Sequence, residues 1–187
     1  MLRRSVICFI SLSCFISAHG ESSLTPTQLF INTLKSASTQ DGIQVGIIID
    51  PHKPDSVNEI YAKIITLPEG SDYTAYKALL KSGITLVKHP KFNNPPKVLI
   101  LSLMGITADS TTDGTRTWTF FTLEHSTSKW ILPKKTENEL ASVAEAPVSD
   151  GDIIGFSRTA WIKVNKEDYT PKDEPRIPSN LTSESIQ

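Results

Sequence analysis

The sequence predicts an α+β fold in which one main helix crosses a mixed or antiparallel sheet. Three observations carry that expectation. Runs rich in β-branched residues recur, among them "IQVGIII" at 43–49, "EIYAKIITL" at 59–67 and "RTAWIKV" at 158–164, and such side chains suit the pleated, half-buried surface of a sheet. One stretch, "EGSDYTAYKALLKSG" at 69–83, instead carries its apolar side chains at helical spacing. The order is strand, strand, helix, strand, strand, strand, without an internal repeat, and a single helix laid over a mixed sheet in that order is the β-grasp plan.

Each element has its own signals. In "LTPTQLFINTLKSAS", Thr25 can cap, Pro26 suits the first helical position, and Leu29, Phe30 and Leu34 form one apolar face, so a short N-terminal helix precedes a linker within 21–42. The β-grasp-like domain is placed at 43–164. Its first two strands flank the proline-broken loop "DPHKPDSVN" and pair antiparallel. In the crossing helix, Ser71 or Asp72 caps, Tyr73, Tyr76, Leu79 and Leu80 face the sheet, and Gly83 takes the left-handed turn at its end. "HPKFNNPP" reads as a separating loop. "KVLILSLMGI" reads as a strand covered on both faces at 98–101, with Leu101 meeting Leu79.

"DSTTDG" is turn chemistry, and "RTWTFFTLEH" is an alternating aromatic strand with Trp118 and Phe120 of one parity and Phe121 and Leu123 of the other. "SKWILP" is a shorter strand, and "IIGF" and "RTAWIKV" close the domain. Residues 165–187 are charged, proline-broken and poor in large apolar groups, which predicts a disordered tail.

The compartment is read from residues 1–20. Arg3 and Arg4, an apolar stretch at 6–16 too short to span a bilayer, and Ala18-His19-Gly20 together resemble a secretory signal peptide, with the mature chain starting at Glu21. Cys8 and Cys14 both lie inside it, so the mature protein is expected to carry no thiol, disulfide or thiolate metal site. The rival role for Cys14, lipid attachment, is weakened by Ser11 where a leucine is usual. Removal of this segment takes two of the 19 basic residues and none of the 20 acidic ones, leaving 167 residues of net charge −3. That balance argues against nucleic acid as a partner, and no second apolar span follows.

The motifs carry a resemblance. "ITLPEGSDYTAYKALLKSGI" resembles the strand, turn and helix that open the β-grasp domain found at the C-terminus of transcobalamin and intrinsic factor, and in bacterial surface proteins. "VLILSLMGI", "TWTFFTL" and "VSDGDIIGF" resemble that family's later strands and its closing "GD" turn, over roughly 43–164. Two places depart from the pattern: Glu124-His125 stands where the family has Asn-Gly, and Leu103-Met104-Gly105 where it has Ile-Asn-Gly. Cobalamin binding is not implied, because the vitamin carriers complete that site with a large helical domain for which this chain has no room.

Asp150 and Asp152 flank Gly151 in front of an apolar run. Their expected role is a structural turn, since the alternating acids and distant glutamate of a calcium loop are missing. His52, His89 and His125 are scattered without a zinc spacing. No serine sits in a nucleophile motif, Glu124 and Glu137 could pair only if the fold brought them together, and Asn180-Leu181-Thr182 is a glycosylation acceptor in form. The three tryptophans, Trp118, Trp130 and Trp161, are either core or flat binding surfaces.

The function expected is a secreted or periplasmic, non-enzymatic binding module without metal or cofactor, its partner an unknown small molecule, glycan or surface protein. Phe121, His125 and Trp130, on the strand pair from 118 to 130, are the ligand candidates, unless Phe30, Leu34 or the tail covers that face. The alternative is a small secreted hydrolase of polysaccharide or peptide, which would need ionisable groups clustered in a cleft.

Overall fold

The computed structural model describes residues 24–37, 42–52, 59–70, 72–111, 114–137, 139–165, 169–182 and 185. The signal-like segment with Cys8 and Cys14, and the candidate cap Ser71, lie outside these residues. The elements are α1 (Pro26–Ser36), β1 (Gly42–Asp50), β2 (Tyr61–Pro68), α2 (Ala75–Lys81), β3 (Leu86–Asn94), β4 (Lys97–Leu103), β5 (Ile106–Thr107), β6 (Asp109–Thr111), β7 (Gly114–Glu124), β8 (Lys129–Ile131), β9 (Lys134–Thr136), β10 (Glu139–Leu140), β11 (Ile153–Lys163) and β12 (Tyr169–Pro171). Among the described residues the architecture is mixed α+β, mostly strands, with two named helices.

The main sheet runs β2-β1-β11-β7-β6, with β8 on β7 and β12 on β11. β1 pairs antiparallel with β2 and parallel with β11, from Gly46 opposite Ile153 to Asp50 opposite Ser157. A strand paired on both sides and covered on both faces reads as a continuous apolar run, which is why 43–49 scarcely alternates. "IIGF" and "RTAWIKV" are one unbroken strand, β11, so no turn separates them.

Side-chain parity sorts the core into two layers. Val45, Ile47, Ile49, Ile154, Phe156 and Trp118 face α2, whose Ala75, Ala78 and Leu79 are fully buried against them. Ile48, Ile153 and Leu123 face the opposite way, onto Phe30, Ile31 and Leu34 of α1. α1 begins where its capping signals place it: the Thr25 side chain accepts the Gln28 N–H at 3.2 Å, and Gln28 Oε1 accepts the Thr25 N–H at 3.0 Å. Both faces of the sheet are therefore helix-covered.

Four expectations are corrected. α2 is shorter than 69–83 and is capped by Thr74, whose hydroxyl accepts the Lys77 N–H; Leu80 turns outward. "HPKFNNPP" is not a plain loop, since Leu86–Asn94 pairs with Lys97–Leu103 across the Pro95-Pro96 turn. β4 is not central either: it belongs to a separate sheet, β3-β4-β5, with Val98 and Ile100 inward and Leu99 45 % exposed, and Leu101 is only half-buried. Finally, the described part of 165–187 is docked rather than disordered. Tyr169–Pro171 pairs with Trp161–Lys163, and Ile177 and Leu181 join the layer around Phe30. Pro171, Pro175 and Pro178 disfavour helix in that stretch, but not attachment to an existing sheet face.

Candidate ligand cavity

β11 covers one edge of β7 from Arg116 to Thr122. On the other edge β6 pairs only as far as Arg116 and β8 starts only at Thr122. Residues 117–121 thus have no hydrogen-bonded strand on that side among the described residues. Both flanking strands are hairpin partners of β7 that leave its edge early, so the gap follows from two short hairpins on one long strand.

Beside this gap lies a cavity of about 310 Å³. Trp118, Phe120, Phe156 and Trp161 supply aromatic wall, Val98 and Ile100 come from β4, and Leu132, Pro133, Leu140 and Val143 close it from the segment between β8 and β11. Among the described residues no lining side chain is ionisable; its polar groups are the hydroxyls of Thr117, Thr119 and Ser142 and the indole N–H groups of Trp118 and Trp161. The strongest of these polar groups already have partners. Trp118 Nε1 donates to the Ile106 carbonyl at 2.9 Å, Trp161 Nε1 donates to Thr119 Oγ1 at 3.1 Å, and Ser142 Oγ accepts the N–H groups of Val98 and Ala144. What remains toward the space is mostly ring and aliphatic surface, with the Thr117 hydroxyl beside it, suited to an apolar or aromatic group.

Charge sits two residues further out. Lys135, beyond Pro133, pairs at 2.7 Å with Glu145, beyond Val143. This hydrogen bond lowers the Glu145 carboxyl below its ordinary value and raises the Lys135 ammonium above its own.

The sequence-predicted ligand residues lie elsewhere. Phe121 points away from Trp118 and is only 2 % exposed. Trp130 packs in the α1-side layer, its ring so close to Gly155 that an added Cβ there would sit 2.8 Å from Cη2 and Cζ3. Phe121 pairs with Gly155 in the ladder, so it and Trp130 are neighbours, roofed by Pro175. His125 stays exposed at the 125–128 turn. The three do not form one accessible surface: the first two are covered by the segment the sequence left unplaced. Missed in the sequence were Phe156 as a lining residue and the wall from 132–133 and 140–143; the apolar Leu140, Ala141 and Val143 around Ser142 were the available signal.

Asp150 and Asp152 each bind main chain. Asp150 Oδ1 accepts the Gln44 N–H and Asp152 Oδ2 the Ser149 N–H, both at 2.7 Å, around Gly151 at φ 85°. Among the described residues no group of three or more His, Cys, Asp or Glu is placed to hold a metal ion.

The main cluster of ionisable groups is Asp50, His52 and Arg176, beside Ser157. Asp50 is fully buried and bound by Arg176. Burial alone would raise its carboxyl, but hydrogen bonds from Arg176 and the His52 N–H outweigh this and hold it below the ordinary value. His52 Nε2 lies 2.8 Å from the Glu174 carbonyl and 3.2 Å from Asp50 Oδ2. Two acceptors at one nitrogen assign its proton there. Ser157 is also fully buried, and its hydroxyl donates to the Asp173 carbonyl. These groups fasten the C-terminal segment to the sheet.

No protein-family model matches the chain, and no curated protein sequence matches it. Among solved structures, it is similar to a "putative metal binding protein" from Ruminococcus gnavus, with 12 % identity and a TM-score of 0.37 over 62 % of this chain and 94 % of that one.

Proposed function

We propose that this chain is an extracytoplasmic, non-enzymatic binding module that takes a compact apolar or aromatic group into the cavity beside β7. The carrying observation is the wall itself: Trp118 and Trp161 turn ring surface inward while their N–H groups are held by protein acceptors. Among the described residues the wall has no ionisable side chain to act as general acid or base or to activate its serine and threonine hydroxyls, which favours binding over the hydrolase alternative. A volume of about 310 Å³ is at the small end of ligand sites, so a small molecule or one protruding side chain of a larger partner suits it better than cobalamin.

The same proposal assigns the β-grasp plan and kinship to the transcobalamin C-terminal domain. Its support is the strand order, with a first hairpin, a last long strand lying parallel to the first, and one helix crossing between. Export rests on the signal-like residues 1–20. No described helix is long and apolar enough to cross a membrane.

The test is titration with N-phenyl-1-naphthylamine, a neutral fluorophore. One saturable site is expected, weakened about fivefold by Trp161→Ala through lost stacking and abolished by Leu140→Trp, which fills the mouth from an exposed position. Full binding by Leu140→Trp would remove the cavity as the site.

A further inference from the structure

Charge is unevenly distributed along this acidic chain. Residues 73–108 contain Lys77, Lys81, Lys88, Lys91 and Lys97 and no aspartate or glutamate, leaving 14 basic residues against all 20 acidic ones elsewhere. Four of these lysines are exposed, Lys88 being half-buried, and none of the five makes a salt bridge among the described residues.

The β3–β4 hairpin adds exposed apolar side chains to that charge. Its ladder steps from Lys88 opposite Ile100 to Asn93 opposite Val98, so residues 89–92 bulge out of the strand. The bulge is braced by its own contacts. Lys88 Nζ donates to the Asn93 carbonyl at 2.8 Å, Asn93 Nδ2 to the Pro90 carbonyl at 3.0 Å, and the Lys91 N–H to His89 Nδ1 at 3.1 Å. Its apolar residue, Phe92, is held outward at 44 % exposure, and Val87 and Leu99 on the same hairpin are similarly exposed. Single exposed apolar residues are ordinary; three on one hairpin, interleaved with lysines that make no salt bridge among the described residues, are not.

We propose that the β3–β4 hairpin is a docking surface for an anionic lipid bilayer, with Phe92, Val87 and Leu99 entering the headgroup region and Lys91 and Lys97 set against lipid phosphates. Charge complementarity selects an anionic partner, and the aliphatic side chains select a bilayer over a soluble polyanion, which offers them nothing to enter. Lys77 and Lys81, on the neighbouring α2, add to the attraction at longer range. Of these residues Leu99 alone also lines the cavity; Phe92, Val87 and the five lysines do not, so the test is read at Phe92 and Lys91, apart from the cavity.

Co-sedimentation of the full chain with phosphatidylcholine vesicles, with and without phosphatidylglycerol, tests it. Binding is expected only with phosphatidylglycerol and is expected to fall as salt rises. Lys91→Glu removes one attraction and adds one repulsion, at about fivefold per charge, and Phe92→Ser should weaken binding severalfold by removing the inserted ring. Both positions are exposed, so melting temperatures should hold; if Lys91→Glu melts early, Lys91→Gln and Lys97→Gln carry the test at about fivefold each. No binding to the anionic vesicles overturns the proposal. So does binding that survives Phe92→Ser unchanged and is displaced by heparin, which would identify a polyanion or an acidic protein surface instead.

Discussion

Arg176 grips Asp50 through both carboxylate oxygens. Nε lies 2.7 Å from Oδ2, Nη2 lies 2.8 Å from Oδ1, and the Arg176 main-chain N–H donates to Oδ2 at 2.9 Å. The two residues are 126 apart in sequence. This clamp holds the C-terminal segment over the end of β1, and with Pro175 it closes the face on which Phe121 and Trp130 lie.

Breaking the clamp from one side should be costly. Arg176→Ala leaves a fully buried carboxylate without its main partner, and a loss of about 3 to 5 kcal/mol is expected in urea unfolding. Limited proteolysis should at the same time cut within 165–182, because the segment loses its anchor. A variant as stable and as resistant as the parent would mean the ion pair contributes nothing to docking.

The clamp also sets an acid limit. Asp50 in the unfolded chain takes up its proton near pH 4, while in the folded protein its value is lower. Between those values the unfolded state binds more protons, so this contribution is complete above about pH 4 and is lost as pH falls through the folded value. Asp50→Asn should flatten that part of the acid stability profile; an unaltered slope would assign the acid loss to other carboxylates.

Gly155 is a packing glycine. An added Cβ would lie 2.7 Å from Pro175 Cγ and 2.8 Å from the Trp130 ring, so Gly155→Ala should destabilise by about 1 to 3 kcal/mol and red-shift Trp130 fluorescence. With Trp130→Phe as the emission control, an unshifted spectrum would place Trp130 outside this contact.

Leu79 and Leu101 separate core from flank. Leu79→Ala, from a fully buried position under the sheet, should cost about 2 to 5 kcal/mol. Leu101 is half-buried in the smaller sheet, and Leu101→Ala should cost less than half as much. Equal losses by thermal melts would restore Leu101 to the main core.

Gly151 turns at φ 85° with open space at its Cβ position, so Gly151→Val should cost about 1 to 2 kcal/mol through the backbone conformation alone. Calcium and chelator should leave the melting temperature unmoved, since both flanking carboxylates already accept main-chain N–H groups. A calcium-dependent rise lost in Asp152→Ala would reverse this assignment.

Local chemistry along the chain determined what local chemistry can. Thr25 with Pro26 set the start of α1, the β-branched run at 43–49 made a two-faced central strand, and the alternation of Trp118 and Phe120 with Phe121 and Leu123 divided β7 between two layers. These follow from backbone geometry and a side-chain period that one segment expresses by itself. Which partner covers each face is set by contacts between residues far apart in sequence. The tail is polar and proline-broken, so its composition read as disorder, yet Arg176 finds the buried Asp50 and Pro175 finds the Trp130 ring. That docking took Phe121 and Trp130 out of the candidate site. The early ends of β6 and β8 along β7, together with a wall drawn from residues 132–133 and 140–143, placed the cavity beside Trp118 and Trp161 instead, because an apolar recess forms only where several segments converge.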